Sequence, residues 1–279
     1  MMITLKKDKG LTLLELVIAL TISAILIAAV YRTFVRQQKT FTVQEQVVEM
    51  QQSARASISR MMEELRMAGF GNVAMVLPVS VSGQNFPNVI NPDSPAPGAL
   101  TIISAVGEGV VITGIPSLNQ ITLSKIVDSQ GQPLFDLADR RYVSVGGLES
   151  YTISAIDTDT KTITLNGVLK YNHIPNRTLV FAIRAFTYQV VSEGGVMTLE
   201  RDENTGAGLQ PVADDIEVLQ FEYLDEAGNP TADPAEICRI RVVVTARTDE
   251  ADPELKDGDG YRRRQIASNV YLRNRGVSP

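Results

Sequence analysis

The sequence has no Trp, one His and one Cys in 279 residues. A lone Cys238 has no intrachain disulfide partner, and one Cys with one His cannot build a zinc site. With His173 the only imidazole, His-dependent triads and metal centres have almost no material to work with. G-x-S-x-G elbows, P-loops and dinucleotide fingerprints are missing as well, so neither an enzymatic role nor a cofactor is expected. Positive charge is scarce where a nucleic-acid binder would need it. The chain carries 26 Lys and Arg against 32 Asp and Glu; residues 1–68 hold a net of +3 and the remainder −9. An acidic bulk without clustered Lys, Arg and aromatics gives no expectation of direct nucleic-acid contact.

Gly and Pro are absent from Leu11 to Ala68. That absence predicts one continuous helix over 11–68, about 87 Å long. Its first part, 11–31, is apolar with Glu15 as the only charge. At 1.5 Å per residue it would span about 31 Å, the thickness of a hydrocarbon core. Lys6, Lys7 and Lys9 precede it and Arg32, Arg36 and Lys39 follow, so the count of flanking cations does not set an orientation. A secretory signal would have a shorter apolar core and a small-residue cleavage site. A plain anchor has no use for Glu15, since a carboxylate at the bilayer centre costs about 2.5–3.5 kcal/mol and somewhat less toward a helix end. Snorkelling of Glu15 to the headgroups is the bland reading; a partner supplied by another molecule is the sharper one. Over 32–68 the pattern turns amphipathic, with Val47, Met50, Ala54, Ile58, Met61, Leu65 and Ala68 forming a stripe for core packing. Gly69 and Gly71 are placed to stop the helix.

Lys6-Lys7-Asp8-Lys9-Gly10 followed by Leu11-Thr12-Leu13-Leu14-Glu15 resembles the class III signal of type IV prepilins and type II secretion pseudopilins. The resemblance implies a leader, 1–10, removed by prepilin peptidase after Gly10, with N-methylation of the new terminus, Leu11. It also implies that Glu15 neutralises the terminal amine of a neighbouring subunit during assembly, the partner that its burial requires. Leu11 stands where Phe is commonest in the family, and Arg32 stands where many major pilins have a Pro. The implied location is the inner membrane, single-pass, with the head in the periplasm, and afterwards a filament at the cell surface.

Residues 69–279 read as a β-rich head. A Pro-rich insertion at about 76–140 includes 91–98, a loop on composition. Strands are expected at 101–106, 110–113 and 120–126. Hairpins are expected at 150–165, around Asp157–Thr160, and at 179–200, around Ser192–Gly195. Further strands are expected at 216–224, 237–247 and 261–272, with Ile240, Val242, Val244 and Ala246 facing inward and Arg239, Arg241 and Arg247 outward. The expected fold class is α+β, one long N-terminal helix packed on an antiparallel sheet, and the resemblance implies that it is pilin-like.

Arg66-Met67-Ala68-Gly69-Phe70, the run from Pro211 to Tyr223 and the closing Leu-Arg-Asn-Arg resemble minor pilins of the PilW type. That narrows the implied role to a structural subunit that primes assembly of a type IV pilus. Its implied partners are prepilin peptidase, other minor pilins, the major pilin, the inner-membrane assembly platform and, before assembly, the lipid bilayer. J-type secretion pseudopilins share the architecture, and a membrane-anchored binding domain is a more distant alternative. Two charge clusters remain. The acidic segment 249–260 holds Asp257 and Asp259, a weak calcium candidate that misses EF-hand spacing, with a solvated loop as the alternative. Arg262, Arg263 and Arg264 either pair with that segment or meet another subunit; Arg262 and Arg264 should share one strand face. His173, beside Pro175, reads as a loop residue, and Cys238 as a buried small apolar side chain.

Overall fold

The computed structural model describes residues 12–252, 254–255 and 258–274. The chain divides into two units, up to Glu49 and from Met50 on, and one helix, α1 (Leu13–Met67), belongs to both. In the first unit no described side chain is buried. Leu13, Ile18, Ile25 and Val30 all lie open, and the helix is long and apolar enough to cross a membrane. A helix that is apolar on every side needs a nonaqueous surround, whereas an amphipathic one needs only a core.

In the second unit α1 has such a core. Met50, Ala54, Ile58, Met61, Leu65 and Ala68 are buried as the stripe predicts, joined by Met62 and Ser57; the stripe's first residue, Val47, falls in the first unit and is half-buried. Ser57 is tolerated inside because its hydroxyl donates to the Ser53 carbonyl, 2.6 Å away. The helix ends at Gly69, whose φ of 74° is left-handed and whose N–H donates to the Ile103 carbonyl at 2.9 Å. A 3-10 turn, Phe70–Val76, follows.

The described residues beyond this turn form fourteen strands. They are β1 (Val79–Val81), β2 (Gln84–Phe86), β3 (Ile90–Pro92), β4 (Leu100–Val111), β5 (Gln120–Thr122), β6 (Tyr142–Val145) and β7 (Glu149–Asp157). Then come β8 (Thr162–Leu165), β9 (Leu179–Glu193), β10 (Val196–Asp202), β11 (Gln210–Asp214), β12 (Ile216–Leu224), β13 (Arg239–Arg247) and β14 (Arg263–Tyr271). All pairings are antiparallel. The main sheet has nine strands in the order β11-β10-β9-β6-β7-β8-β5, with β4 on the other side of β9 and β3 beyond β4. A second sheet runs β12-β13-β14, and β1 and β2 form a small hairpin.

Consecutive residues of the main sheet alternate between two cores. On β9, Val180 and Ala182 join Ile112, Leu123 and Ile163, while Ile183 and Ala185 join Val73, Val79 and Phe86. The long strand β9 is therefore buried on both faces, and it organises the head.

Several expectations are met closely. The 216–224 strand has the limits read from sequence, and β13 buries Ile240, Val242, Val244 and Ala246. The second hairpin turns more tightly than expected, on Gly194-Gly195 alone, since Glu193 pairs with Val196. Both glycines have positive φ, as a two-residue hairpin turn of this hand requires. Other expectations are corrected. The 101–106 and 110–113 runs are one strand, β4, interrupted by a bulge between Val106 and Val110. The 91–98 segment is not all loop, because Asn91 and Pro92 pair with Thr101 and Leu100. The 120–126 strand stops at Thr122. Cys238 is half-buried, its thiol toward the Glu236 carbonyl at 3.2 Å.

Candidate functional site

Gly10 and Leu11, the cleavage and methylation positions, lie outside the described residues. Description begins at Thr12, and there the helix start is built reciprocally. The Thr12 carbonyl accepts the first helical N–H, from Leu16, at 3.2 Å, and its hydroxyl accepts the Glu15 N–H at 3.2 Å. In return, Glu15 Oε2 accepts both the Thr12 backbone N–H and the Thr12 hydroxyl, each at 3.0 Å. This is a capping box, and it satisfies two of the donors that a helix start leaves open. The Thr-x-x-Glu spacing is its sequence signature, which the family motif had hidden from view. Chemically, the arrangement holds a carboxylate at the first turn of an apolar helix with its partners drawn only from Thr12 among the described residues. Glu15 is exposed, so its other acceptor positions face outward.

The Arg262–Arg264 run is distributed over different tasks. Arg262 precedes β14, so strand alternation starts only at Arg263; its guanidinium holds Asp252 Oδ2 at 2.6 and 2.8 Å. Arg263 is gripped twice, by both oxygens of Glu217 (2.6 and 2.8 Å) and by both of Asp259 (2.8 and 2.6 Å). Those contacts hold the Asp259 carboxyl well below its ordinary range and lower Glu217 in the same way. Arg264 is exposed and makes no ion pair among the described residues. Of the calcium candidates, Asp257 lies outside the described residues and Asp259 has both oxygens on Arg263. Among the described residues no group of three or more His, Cys, Asp and Glu side chains is placed to hold a metal.

Two buried polar groups escape sequence reasoning. The first joins α1 to the main sheet: the Glu64 carboxylate takes the Tyr188 hydroxyl at 2.8 Å and the Arg201 guanidinium at 2.7 Å. Arg201 also reaches Glu203 and lies over the Phe186 ring. Burial and the Glu64 charge push the Tyr188 phenol far up, which keeps it a donor. The second corrects the reading of His173. It does lie in a loop, but it is buried, with Nε2 2.6 Å from Glu149 Oε1. Glu149 also accepts the Tyr151 hydroxyl and the backbone N–H groups of Lys170 and Tyr171. Burial pushes its pKa up, and these hydrogen bonds outweigh that and hold it below the ordinary value. Nothing in a single sequence marks residues 24 apart as partners.

Comparison with known proteins agrees with the N-terminal reading. A family model described as a prokaryotic N-terminal methylation motif matches residues 5–31. No curated protein and no solved structure matches the chain significantly.

Proposed function

We propose that this chain, whose N-terminus carries a type IV pilin-like prepilin signal, is a minor pilin of the PilW type. In this reading it is a non-catalytic structural subunit. Prepilin peptidase removes residues 1–10 and methylates Leu11, the apolar helix holds the subunit in the inner membrane with its head in the periplasm, and the subunit then enters a filament with other minor pilins. The observation that carries the reading is the matched segment itself. It couples a basic leader ending in Gly10 to an apolar helix with one carboxylate, Glu15, in its first turn. A carboxylate of this kind is costly in lipid and useful only if a cation comes to it. The methylated amine of the next subunit is such a cation. The resemblance of residues 66–70 and 211–223 to PilW-type proteins supports the pilus over the secretion machine.

The test begins with intact mass and N-terminal peptides of the full chain expressed with and without prepilin peptidase. Peptidase-dependent appearance of a methylated Leu11 terminus is the expected result; a chain retaining residues 1–10 overturns the reading. Glu15→Ala should then be processed normally yet fail to enter sheared filaments. Loss of protein secretion with intact piliation, on deleting the gene, would assign the chain to the secretion machine instead.

A further inference from the structure

Three loops of the head, 112–119, 146–148 and 166–179, are stitched into one surface. The Asn176 N–H donates to the Ile112 carbonyl at 2.6 Å, Leu169 to Leu118 at 2.8 Å and Gly146 to Leu179 at 2.8 Å. From below, Glu149 anchors the longest loop through His173 and the Lys170 and Tyr171 backbone. What these loops show to solvent is unusual. Of the fourteen exposed large apolar side chains among the described residues from Met50 on, seven fall here. Ile115 is 90% exposed and Leu118 75%, with Leu148, Val168, Tyr171 and Ile174 about half exposed. Exposed apolar side chains gathered on loops that hydrogen-bond to one another mark a contact site.

The charge of the surface is equally selective. The three loops contain Lys170 and Arg177 and no Asp or Glu, although the chain beyond residue 68 has a net of −9. Neither cation has an ion-pair partner among the described residues. Glu149, which anchors the longest loop, is buried and committed to His173. Between the 146–148 and 166–179 loops and the 3-10 turn lies a cleft of about 320 Å³, lined by Asn72, His173, Arg177 and Leu179 among others.

We propose that this loop surface docks on an anionic lipid bilayer, with Ile115 and Leu118 entering the acyl boundary and Lys170 and Arg177 meeting the headgroup phosphates. Aliphatic side chains on projecting loops suit a fluid phase, since a protein partner would have to supply a matching concavity for each. Tyr171 has the amphipathic ring favoured at headgroup depth, and long cationic side chains can keep their charge among phosphates while their stems lie against apolar groups. Loops that carry two cations and no acid are complementary in charge to anionic lipid. The cleft gives one headgroup a recess beside Arg177.

The proposal does not rest on the pilin reading, and its test removes the membrane helix. Every buried side chain of the described residues lies from Met50 on, so a fragment of residues 40–279 retains the whole core. The experiment is flotation of this fragment with phosphatidylcholine vesicles, with and without phosphatidylglycerol. Binding is expected only with phosphatidylglycerol and should weaken in high salt. Lys170→Glu and Arg177→Glu should each lower it by about fivefold or more, and Ile115→Asp with Leu118→Asp should abolish it. These four side chains are exposed, so circular dichroism should report unchanged folding. No binding by the unaltered fragment, or binding that the double Asp variant keeps, overturns the proposal. Self-association of the fragment that the double Asp variant abolishes, without vesicle binding, would reassign the surface to a second copy of the chain.

Discussion

At the scale of single residues, two positions are more constrained than their chemistry suggests. Gly69 serves both as the left-handed stop of α1 and as a point of closest approach. A Cβ built there would sit 1.8 Å from the Asn274 carbonyl oxygen. Gly69→Ala therefore combines backbone strain with a clash against main chain, and should cost the head at least about 2 kcal/mol. Urea unfolding of residues 40–279 measures this, and an unchanged midpoint would refute it. Thr12 is the other position. Thr12→Ala removes the acceptor for the Glu15 N–H and one of the donors to the Glu15 carboxylate. The cap should lose about 1 kcal/mol, read as roughly fivefold faster amide exchange at Glu15 in detergent micelles. Retention of the unaltered rate would mean that the box contributes nothing to the helix start.

Among whole elements, α1 was the most legible in the sequence. Its limits were read within two residues because Gly10 and Gly69 bracket a run that contains neither Gly nor Pro. Its buried stripe was legible for the same reason, a sustained period against a polar background. The sheet was only partly so. Long strands such as β9 and β12 announced themselves, but β1, β2, β3, β6 and β11 have three to five residues each. A run that short has too few alternations to separate strand from loop, and Pro92 in β3 argued against one. The side-chain tie between α1 and the sheet was illegible altogether, because Glu64 and Arg201 are 137 residues apart. It is nevertheless the polar clamp on that packing. Glu64→Ala leaves Arg201 and Tyr188 buried with one partner fewer, and should destabilise the head by about 2–3 kcal/mol. Combining it with Arg201→Met should recover part of that loss in thermal unfolding; strict additivity of the two would show the pair is uncoupled.

For the molecule as a whole, the excess of acid is organised rather than diffuse. Burial alone would raise Glu203, yet Arg201 and Arg184 bring it below its ordinary value. Glu149 and Glu217 are lowered too, as are Asp252, by the Glu254 N–H and then Arg262, and Asp259, by Arg263. A carboxylate held low in the folded state adds stability above its unfolded pKa and loses it as pH falls through the folded one. Asp215, raised by burial and by Asp249, works the other way and is outnumbered. The melting temperature of the head should hence be nearly flat from pH 7 to about 5 and decline below the ordinary carboxylate values of 4.5 and 3.8. Glu149→Gln should start lower and decline less; an identical slope would remove Glu149 from the account.

The contact of Asn274 on Gly69 also fixes an order in time. The end of α1 is synthesised roughly two hundred residues before the segment that closes over it, so this closure is about as nonlocal as a domain of this size permits. A ribosome will have delivered the whole apolar helix long before the head has its last strand. During that interval the buried stripe from Met50 to Ala68 has no finished sheet to lie on. Until then the stripe is apolar surface open to water, the condition under which unfinished chains associate.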